Sequence, residues 1–418
     1  MNILLKSAKI VSPENSAIHL KKRDILIKKG VIEKIAASIN DAPSNIKIIE
    51  HKNLHVSIGW LDTSVSFGEP GHEERETIEN GLQVAAKSGY TNIVLNPNTT
   101  PVPDTSSDIV FLKERSKGYT TGLHPLGSLS KNSEGVDLAE LFDMHKAGAV
   151  GFYDFKKQIS NPNLLKIALL YAQSFGGLVL SFPEDAQIKG KGVVNEGEMS
   201  TSLGLKGIPG LAEELQISRD LYILEYTGGK LHIPTISTAN SVKLIAAAKK
   251  KGLDVSCSVA VHNLLFTDDR LADFDTSFKV SPPLRTKQDV KALIKGLKES
   301  TIDFVTSDHR PLDIEEKRLE FDNAISGTIG LESAFGSLNQ IFDLEDTIAL
   351  LTKGWERFAI DKPKIEAGSV ACLTLFDPDA EWTFTKDDIL STSKNSMFLD
   401  TPQKGKVLGT ISNQIGTL

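Results

Sequence analysis

Nine histidines and two cysteines are the side chains in this 418-residue chain best suited to hold a metal or move a proton. Their spacing is the first test. Cys257 and Cys372 lie far apart with no CxxC pattern, which excludes a cysteine zinc site and a disulfide framework and fits a reducing, cytoplasmic setting. His72, in GHEERE, opens like an HExxH metalloprotease helix, but residue 76 is Glu, so a surface histidine in a first turn is the better reading. His19, His51, His55, His124 and His145 carry no ligand spacing, and His232, inside the apolar run KLHIPT, reads as a core residue. His309, beside Asp308 in SDHRP, leaves structural and pocket roles both open.

Other chemistries lack their signatures. No GxGxxG opens a helix after a strand, and no GxxxxGK[ST] is present, so dinucleotide and P-loop binding have no support. KGKG at Lys189 to Gly192 is a basic loop rather than a phosphate cradle, and Glu184 with Asp185 reads as a solvated or helix-capping pair. Ser64 and Ser66, in DTSVS, have no base within their motif, and there is no GxSxG elbow, so a serine nucleophile is disfavoured.

The elements that must position any site follow from apolar periodicity. Over the first ~50 residues NILLKSAKIV, RDILIKKGVIEKIA and IKIIEH alternate apolar and polar positions, as half-buried strands do. From about Leu54 to Ile360 short apolar runs (TNIVLN, AGAVGFYDF, GGLVLSF, KLHIPTI, LDVSCSV, IDFVTS) alternate with amphipathic stretches such as NSVKLIAAAKKKG. Repeated β-then-α units over ~300 residues predict a closed parallel (β/α)8 TIM-type barrel. After about Lys364 strand patterning returns, too little to fold alone. Residues 1–53 and 364–418 are therefore expected to form one composite β-sandwich domain around a barrel of residues 54–363. The segment from Pro183 to Pro209 reads as a long loop over one barrel face.

Composition sets the outer bounds. Forty per cent hydrophobic and 24% charged residues describe a folded, soluble chain. With 47 Lys plus Arg against 54 Asp plus Glu, the net charge is −7 and the basic residues are dispersed, which argues against a nucleic-acid partner. MNILLKSAKIV is too short in its apolar run for a signal peptide, and no stretch approaches a membrane span, so no membrane role is expected.

SIGWLDTSVSFGEPGHEERETIENG resembles the first-strand signature of dihydroorotases, in the amidohydrolase superfamily. The likeness continues through LNPNTTPVPD, GAVGFYDF, VNEGEMSTSLGLKGIPG, LHIPTISTANSV, HNLLFTDDRL, SPPLRTKQDV, VTSDHRP and GTIGLESA, nearly the whole chain in order. The resemblance implies a metal-bound hydroxide that attacks a cyclic amide, with a late aspartate shuttling the proton. It also implies where the zinc ligands belong. The paired histidines fall on Ser64 and Ser66, the carbamate lysine or bridging aspartate on Tyr153 or Asp154, the fifth-strand histidine on Phe182 and the sixth-strand histidine on Thr235. All four imidazoles are replaced, so the family's zinc is expected to be lost and no cofactor is expected in its place.

Only Asp308, the family's proton shuttle, is plainly kept, as a vestige. The REPG arginine is Gly68, the asparagine before PPLR is Ser281, and Asn263 replaces the second histidine of PHHLL, while Asn98 keeps the asparagine of MPNT. Asn98, His262 and His309 are the remaining substrate-binding candidates. The resemblance implies a non-catalytic partner in pyrimidine biosynthesis, for example of aspartate transcarbamoylase, and a homodimer. The alternative is an active cyclic amidohydrolase that uses Asp308, Asp154, His309, His262 and Asn98 as substitute groups, and a ligand-binding sensor is a third.

Overall fold

Strand-forming runs from both ends of the chain meet in one sheet. The computed structural model describes residues 2–40 and 45–417. Asn2–Ile10 pairs antiparallel with Lys22–Lys28, which pairs with Val31–Ala36, while His55–Ile58 lies parallel to Asn2–Ile10 and antiparallel to Leu373–Thr383. Leu373–Thr383 carries on to Pro402–Ser412 and Ile415–Thr417. The sheet curls until Val31 bridges Val370, just before Leu373–Thr383 begins. Alternating residues of these strands (Ile3, Leu5, Ile25, Ile27, Val56, Leu373, Leu375) fill its own core. This is the β-sandwich domain built from both chain ends.

Its borders differ from 1–53 and 364–418. His55–Ile58 belongs to the sheet, because the alternation of the first segment runs on through it. Residues 384–401 leave the sheet and pack on the barrel, where Thr392 N donates to Glu76 Oε2 (2.9 Å) and Asn395 Nδ2 donates to Arg310 O (3.0 Å).

The barrel strands, numbered here in chain order, are β1 Trp60–Val65, β2 Tyr90–Leu95, β3 Gly122–Pro125, β4 Phe152–Tyr153, β5 Leu178–Leu180, β6 Lys230–Ile233, β7 Val255–Ala260 and β8 Phe304–Thr306. Successive strands are parallel. The join of β3 to β4 runs through a Gly127–Phe152 bridge, and closure of β8 on β1 runs through Val65 and His309, with Ser66 N donating to His309 O (2.8 Å). β3 has no apolar run to mark it; in Gly122–Pro125 only alternate residues are buried. Leu61, Val94, Leu126, Leu180, Phe304, Trp355 and Phe358 pack together as one cluster of buried side chains drawn largely from the barrel strands. Among the described residues no helix is long and apolar enough to cross a membrane.

The segment 183–209, expected as a long loop, carries short regular elements of its own. It contains helices Ala186–Lys189 and Glu198–Leu203 and a two-stranded parallel ladder of Val194–Asn195 with Gly207–Ile208. Buried Arg285 holds the ladder: Nη1 donates to Asn195 Oδ1 (2.9 Å) and Ile208 O (2.7 Å), and Nε donates to Ser237 Oγ (3.0 Å). Long-range side-chain bonding, invisible to local periodicity, is what orders it. Replacing Arg285 with Ala leaves these acceptors unpaired and costs about 3 kcal/mol, the size of a broken buried charge network. Limited proteolysis should then cut within 186–207 several-fold faster than in the wild type; an unchanged digestion pattern would show that the ladder does not need Arg285.

Candidate functional site

Three alternate residues at the end of β1 point the same way, as strand periodicity requires: Asp62, Ser64 and Ser66, all buried. Asp62 fastens β1 to β8. It accepts from Thr306 Oγ1, from Ser307 N (2.9 Å) and from Ser64 N (3.1 Å). Burial raises the Asp62 carboxyl above its ordinary range, and these hydrogen bonds oppose the rise.

Ser64 and Ser66 share one partner. Asn96, just past β2, donates from Nδ2 to both hydroxyl oxygens at 3.1 Å. Ser64 Oγ then donates to Asp308 Oδ1 (3.1 Å), after β8, and the other carboxylate oxygen, Oδ2, accepts from Lys156 Nζ at 2.7 Å. Lys156 also donates to Ser281 O (2.5 Å), and its side chain is only 9% exposed, against 5% for Asp308. The two residues that bring this pair together both have left-handed backbone, φ 50° in each. The result is a continuous chain from an amide, through a hydroxyl and a carboxylate, to an ammonium. Burial pulls the Lys156 ammonium below its ordinary value, and Asp308 counteracts that.

The remaining expected positions do not complete a metal site. Phe182, after β5, is buried in one cluster with Tyr153, Phe155, Leu180 and Phe304. Burial raises the Tyr153 phenol far above its usual range, so it stays neutral. Thr235, after β6, is buried with Oγ1 unpaired among the described residues. Asp154 is a correction. Its carboxylate accepts from Ser128 Oγ (2.9 Å), Leu129 N and Ser130 N (3.0 Å each) and Ser130 Oγ, so it ties down the loop after β3 and is not a free substitute ligand. Among the described residues no group of three His, Cys, Asp or Glu side chains is arranged to hold a metal ion. Hydroxyls, a phenyl ring and a lysine ammonium beside Asp308 do not fit zinc, which needs imidazole, thiolate or carboxylate donors.

The histidines divide clearly. His232 lies between Ser256 Oγ (2.8 Å) and Ser258 Oγ (3.2 Å) and stacks on Phe304, a core residue. His72 is partly exposed, within 3.3 Å of Thr100 Oγ1. Glu184 pairs with Lys189 (2.7 Å), and Asp185 caps the helix Ala186–Lys189. His309 Nδ1 accepts from Gly330 N (3.2 Å), and its Nε2 is unpaired among the described residues, as are both nitrogens of His262, Asn263 Oδ1 and Asn98 Oδ1. Neither Asn96 nor Lys156 was singled out by sequence. Asn96 replaces the methionine of the MPNT motif, which is a readable signal; Lys156, one of two adjacent lysines, has none.

Two expectations follow. Lys156→Met should destabilise the fold by roughly 3–5 kcal/mol, because it leaves a buried carboxylate without its cation. Adding Asp308→Asn should recover part of that loss in chemical denaturation; a double variant no more stable than the single would sever the proposed coupling. Burial also holds His262 and His309 down at about 4, with Asp308 acting against it in His262. Because these folded values lie below the ordinary 6.5, the neutral rings contribute fully above pH 6.5, and that stability is lost as pH falls toward about 4. His262→Gln should flatten the acid limb of a stability-versus-pH curve; an unchanged slope would contradict it.

Known proteins share this architecture. A family model described as dihydro-orotase-like matches residues 55–241. A protein named dihydroorotase from Geobacter metallireducens is 37% identical over 419 residues, covering 98% of both chains. Another of that name from Carboxydothermus hydrogenoformans is 37% identical over 408 residues, covering 96% of this chain and 94% of its own. Among solved structures, the L-hydantoinase (dihydropyrimidinase) of Arthrobacter aurescens superposes with a TM-score of 0.85 at 23% identity, over 99% of this chain and 95% of that one. The D-hydantoinase (dihydropyrimidinase) of a Thermus species gives 0.82 at 20%, over 100% and 95%. With end-to-end similarity of this extent, the chain belongs to the dihydroorotase family of the amidohydrolase superfamily.

Proposed function

We propose that this chain is a non-catalytic member of the dihydroorotase family that serves pyrimidine biosynthesis as a structural or regulatory partner, with aspartate transcarbamoylase as that partner. The observation that carries the reading is the state of Asp308. The carboxylate in the proton-shuttle position is occupied by Lys156 and Ser64, and none of the four family histidine positions carries an imidazole. Amide hydrolysis at neutral pH needs an activated water and a polarised carbonyl. The side chains hydrogen-bonded to the Asp308 carboxylate among the described residues are an ammonium already hydrogen-bonded twice and a serine hydroxyl that donates to it. Ser64 has no free base to activate it, so a covalent route is not supported either.

What supports a partner role is the retention of the fold that carries the mouth. The barrel closes, the two chain ends still build their domain, and the similarity to proteins named dihydroorotase runs over nearly the full length. A scaffold freed of all constraint would not keep Asp62 bonded across β1 and β8 or Arg285 bonded under the 194–208 ladder. The chemistry has been removed; the shape has been kept.

Two measurements test this together. Purified protein, incubated with zinc and passed through a desalting column, should hold far less than one zinc per chain and hydrolyse dihydroorotate no faster than buffer. Stoichiometric zinc with an ordinary enzyme rate would overturn the non-catalytic reading in favour of substitute ligands. Mixed with aspartate transcarbamoylase from the same cell, the chain should co-elute as a larger species on size exclusion; independent elution at micromolar concentration would remove the proposed partner.

A further inference from the structure

The loops after β7 and β8, Glu74 beyond β1 and the 384–401 segment enclose a cavity of about 380 Å³ on the carboxyl-end face of the barrel. None of Ser64, Asn98, Lys156, His262 and Asp308 lines it, so it is separate from the mouth. Its wall carries three cations, Lys317, Arg318 and Lys394, against two carboxylates, Glu74 and Asp313, an excess of positive charge in a chain of net charge −7. Those carboxylates do not pair with these cations. Lys317 is 6% exposed, and among the described residues its ammonium donates only to carbonyls, those of Lys279 (3.4 Å), Ile325 (3.1 Å) and Gly327 (3.2 Å). Lys394 Nζ donates to Ile389 O (2.9 Å) and Ser391 O (2.8 Å), two of its three N–H groups. The exposed Arg318 guanidinium and the Ser277 hydroxyl have no hydrogen-bond or ion-pair partner among the described residues. Asp313 accepts from Glu315 N (2.7 Å) as the N-cap of Ile314–Lys317, and Glu74 lies 3.5 Å from His72 Nδ1 and 3.9 Å from Arg75 Nε.

We propose that this cavity binds a small phosphate ester, its phosphate held by Arg318, Lys394 and Ser277 and its organic body lying against Leu312 and Ile314. The three terminal oxygens of a phosphate can accept from a guanidinium fork, an ammonium and a hydroxyl together, whereas a carboxylate offers only two oxygens. The cavity has the size of a small-molecule cleft, much larger than inorganic phosphate needs, so the anion carries a body. Loops after the seventh and eighth strands are also where barrels of this type frequently hold phosphate. Lys317 adds its charge from within the wall. Burial, with the charges of Lys279 and Arg310, pulls its ammonium down to about 7, and an anion in the cavity relieves that crowding.

Titration calorimetry of the full chain with phenyl phosphate, in phosphate-free buffer at about 0.15 M sodium chloride, tests the proposal. One phenyl phosphate should bind per chain with a Kd below about 1 mM, and inorganic phosphate and benzoate should each bind at least about tenfold more weakly. Arg318→Ala combined with Lys394→Ala should weaken phenyl phosphate at least about tenfold, through the loss of charge-assisted contacts, with circular dichroism unchanged. Lys87→Ala with Lys291→Ala removes two exposed lysines from other helices and should leave affinity within about twofold. Should the first pair misfold, Arg318→Glu alone carries the same expectation. No saturable binding of phenyl phosphate, inorganic phosphate or benzoate held as tightly, or equal losses in the two pairs of variants would overturn the proposal.

Discussion

A carboxylate buried at the end of the last barrel strand requires a counter-charge, and in this chain Lys156 provides it. Desolvating an unpaired charge costs several kcal/mol, so whichever cation lies beside Asp308 decides what the barrel mouth can be. A metal there would leave coordination positions open to water and substrate. An ammonium presents only N–H donors, and two of these are directed to Asp308 and Ser281 O. The remaining polar groups arrange themselves around that choice: Ser64 donates to the other oxygen of Asp308, and Asn96 joins Ser64 to Ser66. Hydrogen bonds internal to the chain thus link the ends of β1, β2 and β8 at the barrel mouth.

This arrangement explains how the fold accommodates the side chains found at positions 64, 66, 182 and 235. Ser64, Ser66 and Thr235 are small and polar, and Phe182 joins the aromatic cluster that contains Leu180 and Phe304. The strand ends stay fixed because other bonds hold them, above all those from Thr306 and Ser307 to Asp62 and those from the 128–130 loop to Asp154. Chemistry and architecture rest on different residues, and they can diverge.

Much of this was legible in the chain, and the limits have physical causes. Period-2 runs at both ends and β-then-α units between them were enough for the barrel and its companion domain, because β2 and β4 to β8 each lie in a short apolar run. β3, Gly122–Pro125, has half-exposed alternate residues and left no such mark. The short elements within 183–209 left no local mark because their order comes from Arg285, some eighty residues farther on. Asp154 looked like a spare ligand because spacing says nothing of which atoms a carboxylate already holds. Lys156 was invisible for the opposite reason. Adjacent lysines usually lie in solvent, and only the fold, with left-handed backbone at both 156 and 308, brings one of them to Asp308.

The most direct measurement is a crystal soaked in excess zinc, with anomalous scattering recorded at the zinc edge. The account predicts no anomalous peak at the barrel mouth and the Lys156 ammonium within hydrogen-bond distance of Asp308. A strong peak about 2 Å from an Asp308 oxygen, with Lys156 displaced, would contradict it.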